Sequence, residues 1–201
     1  MNHFTKTMAG RANTKSKKPA RIFYGDQVSM KRFLKLALKP EWHEIEAARN
    51  KTAKFLKSLG LTTDSVHALT MVMSELIENS VKYGNFPLPA DNVVVDIHQS
   101  ENIITVEVIN PVNPVDESAY NHLKKLDKTI QWIRGYQDPF EAYVEKLKEV
   151  SRRPLNDEES GLGLVRIAYE GKAILDFFVS EGGSLNVSAV SNFQGDNYGK
   201  D

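Results

Sequence analysis

The chain contains no cysteine, which excludes disulfides and thiolate metal sites and fits a reducing compartment. Its five histidines are scattered rather than clustered. Neither sign of charge prevails: 26 lysines and arginines face 26 aspartates and glutamates. That balance argues against a dedicated nucleic-acid binder, which is usually basic overall. No apolar run approaches the roughly 18 residues needed to span a bilayer, and the start lacks the apolar core of a signal peptide. No internal repeat is visible. These absences point to a soluble, cytoplasmic protein with no nucleic-acid partner and no membrane insertion.

With 201 residues, 41% of them apolar, the chain can build one domain of ordinary size plus appendages. Residues 1–25 carry Lys6, Arg11, Lys15, Lys17, Lys18 and Arg21 with no acid and no apolar periodicity, the pattern of a disordered basic arm. The domain proper is expected over 26–191, followed by a flexible tail over 192–201. Phe33, Leu34, Leu36 and Leu38 predict a first strand within 29–38. Pro40 then opens a helix through Trp42, Ile45, Ala48, Phe55, Leu56 and Leu59, closed by Gly60. Thr63 or Asp64 caps the next helix, which ends near Gly84, ahead of Pro87 and Pro89.

Val93, Val95 and Ile97, then Ile104, Val106 and Val108, recur at alternate positions and predict an antiparallel hairpin turning over 99–102. Two prolines stop its second strand at Asn110-Pro111-Val112-Asn113-Pro114. Residues 116–159 read as a helical insertion. Tyr120, Leu123, Leu126, Ile130 and Ile133 line its first helix; Asp138-Pro139-Phe140-Glu141 starts its second, lined by Phe140, Val144, Leu147 and Val150. The pair is thin in apolar residues, so it should pack on a neighbour, and a polar connection follows from 151. Strands over 173–179 and 184–190, joined at Glu181-Gly182-Gly183, close the domain.

The most informative stretch is 71–84. On a helix at about 100° per residue, Val66, Leu69, Val72, Met73, Leu76 and Ile77 share an apolar arc, and Glu75, Glu78, Asn79 and Lys82 fall on an adjoining stripe. Glu75 and Asn79, at i and i+4, lie one above the other. A carboxylate, a carboxamide and an ammonium beside a core-facing arc can hold a metal ion or a phosphate; the same stripe also reads as a solvated face with a Glu78–Lys82 pair. A second stretch, Ser160-Gly161-Leu162-Gly163-Leu164, opens a helix over 165–170. Gly-x-Gly there lets backbone N–H groups face an anion with no side chain in the way. It equally serves a tight turn with close helix–sheet packing.

The two stretches, in this order around a strand pair, resemble the GHKL ATP-binding fold shared by histidine-kinase catalytic domains, type II topoisomerases, heat-shock chaperones and anti-sigma-factor serine kinases. Residues 74–84 look like its N box and 160–164 like its G2 box. The likeness spans roughly 29–191 and is greatest to the anti-sigma-factor serine/threonine kinase branch. It implies an α+β fold, a two-layer sandwich of the Bergerat type, with a mixed, mostly antiparallel sheet, helices on one face, and the 116–159 insertion in place of the ATP lid. It also implies ATP and Mg2+ as ligands. Asn79 would coordinate the magnesium ion, Glu75 would be the general base, Lys82 would contact phosphate, and Gly161, Leu162 and Gly163 would form the phosphate-binding turn. Asn110 stands where the family's G1 box, Asp-x-Gly-x-Gly, has its adenine-binding aspartate. An asparagine oxygen can accept the same hydrogen bond without charge assistance, and no glycine here replaces those of the box.

The leading expectation is therefore an ATP- and magnesium-binding regulatory protein that transfers the γ-phosphate to a hydroxyl of a protein partner. An anti-anti-sigma-like substrate or a sigma-like regulator would be that partner, and the related kinases suggest a homodimer. The alternative is a non-catalytic partner-switch module, which the altered G1 box favours while the Glu75–Asn79 pair favours catalysis. ATP hydrolysis driving a conformational change, with Glu75 activating water, is a third.

Overall fold

Five strands carry their apolar residues at alternate positions, so each presents one apolar face. The computed structural model, which describes residues 32–153 and 161–193, assembles them into one sheet. The strands are β1 (Arg32–Leu38), β2 (Val93–Ser100), β3 (Ile103–Pro111), β4 (Ala173–Val179) and β5 (Ser184–Asn192). Their order is β1-β2-β3-β5-β4. All of these ladders are antiparallel, where a mixed, mostly antiparallel sheet was expected. Leu36, Val95, Ile97, Val106, Val108, Val187, Ala189 and Leu175 are buried on one face. On the other, Phe33, Ile174 and Phe178 are exposed. The expected basic arm, residues 26–31, the 154–160 connection with Ser160, and the end of the tail lie outside the described residues.

The helices cover the buried face: α1 (Glu44–Ser58), α2 (Thr63–Tyr83), α3 (Glu117–Arg134), α4 (Pro139–Ser151) and α5 (Gly163–Tyr169). The predicted apolar arc of α2 is the centre of the core, with Val66, Leu69, Val72, Met73, Leu76 and Ile77 at most 2% exposed. At about 25 cal/mol per Å² of apolar surface removed from water, each such side chain contributes roughly 1.5–3 kcal/mol. Gly60 ends α1 at φ +82°, a left-handed turn that glycine enters without steric cost. The cap of α2 is Thr62, one residue before the expected position: its Oγ1 accepts from the Ser65 N–H at 3.3 Å, and Asp64 instead sits in the first turn, where its charge complements the helix dipole.

Three other expectations need correction. The first helix begins at Glu44, not Pro40; residues 42 and 43 form a turn, leaving Trp42 60% exposed. The β2–β3 turn is shorter than expected, because Ser100 and Ile103 already pair and Glu101 takes a positive φ of 54°. In α4 the buried residue is Ala142, whereas Phe140 and Leu147 are exposed. This helix meets α5 through rings rather than an aliphatic stripe: Tyr143 stacks on Tyr169 at 5.2 Å and Phe140 lies 5.1 Å from the same ring. The helix start read at Asp138 forms, its side chain accepting from Phe140 N–H, and Asp116, which was not singled out, caps α3 by accepting from Ala119 N–H. Arg134 fixes the end of α3 to the edge strand by donating to Leu175 O at 2.6 Å and pairing with Asp176 at 3.3 Å.

Candidate functional site

A pocket lies where α2, the sheet, α5 and the helical insertion converge. Asn110 on β3 and Leu185 and Val187 on β5 line it from the sheet, and the register places Asn110 directly opposite Leu185. From α2 come Leu76, Asn79, Ser80 and Tyr83, all within two turns of one helix face. Gly161, Gly163 and Leu164 form a third side, and His122, Lys125, Leu126, Thr129, Lys146 and Arg153 the insertion side. Tyr83 and His122 stack at 3.9 Å with an interplanar angle of 18°, which ties the insertion to the end of α2.

The two glycines meet different walls. Gly161 is at φ +62°, and a side chain there would crowd the Lys146 stem, whose Cε would lie 3.2 Å from a Cβ. At Gly163 a Cβ would sit 2.6 Å from Glu75 Oε2 and 4.0 Å from Asn79 Nδ2. The glycine therefore lets the loop close onto the Glu75–Asn79 pair. The two sequence stretches, remote in the chain, are in contact in the fold.

Glu75 stands beside the pocket lining. Its side chain is 17% accessible and its Oε1 accepts from Arg166 Nη1 at 2.5 Å. Burial pushes its pKa above the ordinary glutamate value; Arg166 pulls it down, and Glu78 and Glu170 push it up. Asn79 is half-buried in the lining. Among the described residues no group of three or more His, Asp or Glu side chains gathers as a metal cage. Magnesium characteristically takes one or two protein oxygens and completes its shell with phosphates and water, and the Asn79 carboxamide is suited to such a role.

Asn110 is 2% exposed. Its Nδ2 donates to Pro111 O at 2.9 Å, while Oδ1 is buried with no hydrogen-bond partner among the described residues. An orphaned buried acceptor is costly, and here it belongs to a pocket-lining residue. That arrangement fits a ligand donor such as an exocyclic amine.

Not every expected site residue converges. Lys82 is exposed, its Nζ 5.2 Å from the Tyr83 ring centroid, and it is absent from the pocket lining. Leu162 occupies the N-cap position of α5 and also stays out of the lining. The cations that do line the pocket, Lys125, Lys146 and Arg153, belong to the insertion or its end and were not anticipated. Nothing in their local sequence marks them, because their relevance arises from where α3 and α4 fold back. Tyr83 was within reach of sequence reasoning, since it follows Asn79 at i+4.

No family model and no curated protein sequence matches the chain. Among solved structures, it is similar to the SiaB–SiaC complex from Pseudomonas aeruginosa, with TM-score 0.61 and 21% identity over 79% of this chain and 89% of that one. A second similar structure, the RsbU and RsbW domains of Rv1364c from Mycobacterium tuberculosis, gives TM-score 0.48 and 11% identity over 80% of this chain and 32% of that one. The first of these establishes a shared fold. No helix among the described residues is long and apolar enough to cross a membrane.

Proposed function

We propose that the chain is an ATP- and magnesium-binding regulatory protein that transfers the γ-phosphate to a hydroxyl of a protein partner. One observation carries the reading: Asn79, Asn110, Gly161 and Gly163, from separate parts of the chain, line a single pocket, with Glu75 against Gly163. Asn110 Oδ1, without a partner among the described residues, accepts from the adenine amino group, and Leu76, Leu185 and Val187 supply the apolar surroundings of the base. Lys125, Lys146 and Arg153 face the phosphates as cations. Magnesium, when bound, neutralises charge on the phosphates, and the Asn79 oxygen holds it. Glu75 takes the proton of the attacking hydroxyl as its oxygen bonds to the γ-phosphorus. The bond from that phosphorus to the β–γ bridging oxygen breaks, and its electron pair leaves with ADP.

The protein partner is of the anti-anti-sigma or sigma-regulator kind; the similar fold in the SiaB–SiaC complex supports a protein partner as such. The alternative, a partner-switch module without catalysis, is favoured by the glycine-free 110–114 segment. Melting temperature with and without Mg-ATP tests the reading, because a ligand that binds only the folded state adds about 2.7 kcal/mol at 100 times its Kd. A rise in the wild type that Asn79→Ala loses is expected. The absence of any rise at millimolar Mg-ATP rejects both ATP-dependent mechanisms in favour of the partner switch.

A further inference from the structure

The short helix α5 brings more than a glycine to the site. Arg166 follows Gly163 at i+3 and Glu170 follows Arg166 at i+4, so all three lie along one face of the helix, the face turned to Glu75. Arg166 uses separate N–H groups for two carboxylates. Its Nη1 donates to Glu75 Oε1 at 2.5 Å, while Nε and Nη2 donate to Glu170 Oε1 and Oε2 at 3.0 and 3.4 Å. The planar guanidinium fork makes this division possible, and a lysine ammonium could not reproduce its directions. With Oε1 held by Arg166, the other oxygen of Glu75 rests against Gly163, on the side where Asn79 also stands.

We infer that Arg166 is the positioning residue of this site, fixing one carboxylate oxygen of Glu75 and directing the other toward the phosphate end of the pocket. The inference rests on the proposed role of Glu75 as base. A base must be deprotonated to act, yet burial and two neighbouring carboxylates, Glu78 on its own helix and Glu170 on α5, all favour the protonated form of Glu75. Arg166 is the group acting in the opposite direction. Glu170 holds Arg166, and Tyr143 of α4 also acts on it. An ordinary surface pair contributes little; this one joins two elements at a glutamate side chain only 17% accessible.

The test uses the full chain without nucleotide. Glu75 is followed by carboxyl-carbon NMR across a pH titration, its resonance assigned by its loss in Glu75→Gln. Arg166→Met is expected to move the Glu75 midpoint to higher pH, and Arg166→Lys to return most of that displacement. An unmoved midpoint in a folded Arg166→Met protein overturns the inference. If that variant does not fold, Arg166→Gln, polar but uncharged, carries the same expectation. With Mg-ATP and an acceptor protein, the acid limb of kcat should move upward by the same amount in Arg166→Met while KM for ATP stays unchanged. Below the midpoint the rate should fall about tenfold per pH unit; an acid limb that does not move also overturns it. A moved NMR midpoint in a chain that shows no melting rise with Mg-ATP supports the hold of Arg166 on Glu75 and counts against the nucleotide reading alone.

Discussion

Replacing Asn110 by alanine should separate stability from binding, because this side chain is 2% exposed yet only half satisfied. The substitution deletes the Nδ2 bond to Pro111 O, worth about 1 kcal/mol net. It also removes Oδ1, a buried acceptor with no partner among the described residues, whose desolvation costs about 1–3 kcal/mol. Because Asn110 borders an existing pocket, truncation enlarges that pocket and leaves no new sealed cavity. The nucleotide-free variant should therefore match the wild type or exceed it by up to about 2 kcal/mol. The ligand balance runs the other way: losing the acceptor for the adenine amine costs about 1–3 kcal/mol of binding, or roughly 5- to 150-fold in Kd. Urea unfolding with and without Mg-ATP, treated by linear extrapolation, measures both effects in one series. The reasoning is refuted if the nucleotide-free variant loses more than about 2 kcal/mol, since Oδ1 would then be satisfied in the folded protein. It is refuted equally if Mg-ATP protects variant and wild type alike.

Four further outcomes follow from the geometry. Glu75→Gln should become progressively more stable relative to the wild type as pH rises from the ordinary glutamate range toward neutrality. The reason is that a carboxyl whose folded pKa is raised binds more protons folded than unfolded in that window, so its stability contribution falls as pH rises; melting curves at several pH values read the difference, and a constant difference contradicts it. Gly163→Ala places a Cβ 2.6 Å from Glu75 Oε2, so it should push that carboxylate off Arg166 and abolish phosphoryl transfer while leaving the core packing intact. Gly171→Ala, whose Cβ would crowd Val72 and lie 2.5 Å from Ile167 O, should instead lower stability by about 1–3 kcal/mol through overpacking; thermal unfolding distinguishes the two. Lys146→Ala should weaken Mg-ATP by about 1 kcal/mol, roughly fivefold, and flatten its salt dependence, as binding measured at two ionic strengths would show.

Much of the fold was legible because its signals are local and periodic. The α2 arc from Val66 to Ile77 repeats at helical spacing and is almost wholly buried, and the β2 and β3 alternation sets both the hairpin and the inward direction of Asn110. The cap of α2 was misplaced by one residue because Thr62, Thr63 and Asp64 offer near-equivalent capping chemistry. The burial of α4 was misread because its contact with α5 is made by Tyr143, Phe140 and Tyr169 rings, whose partners no period within α4 reveals. Within the candidate site, the i, i+4 spacing put Glu75 and Asn79 on one stripe, and the glycine stretch at 161–163 singled them out from a solvated face. Lys82 shares their stripe by helical angle, but it is one turn beyond Asn79 and its long side chain turns over Tyr83. The cations from the insertion and the hold of Arg166 on Glu75 depend on long-range contacts, which spacing cannot encode.

The central claim is that Asn79 and the glycine turn hold the phosphate end of a magnesium nucleotide. Isothermal titration of Mg-ATP into the full chain tests it most directly, with ATP plus chelator and Asn79→Ala as the two comparisons. The account predicts one magnesium-dependent site in the wild type, weakened at least about tenfold in Asn79→Ala, as loss of a ligand worth about 1.4 kcal/mol or more requires. No binding at millimolar Mg-ATP, or equal binding by Asn79→Ala, would contradict it.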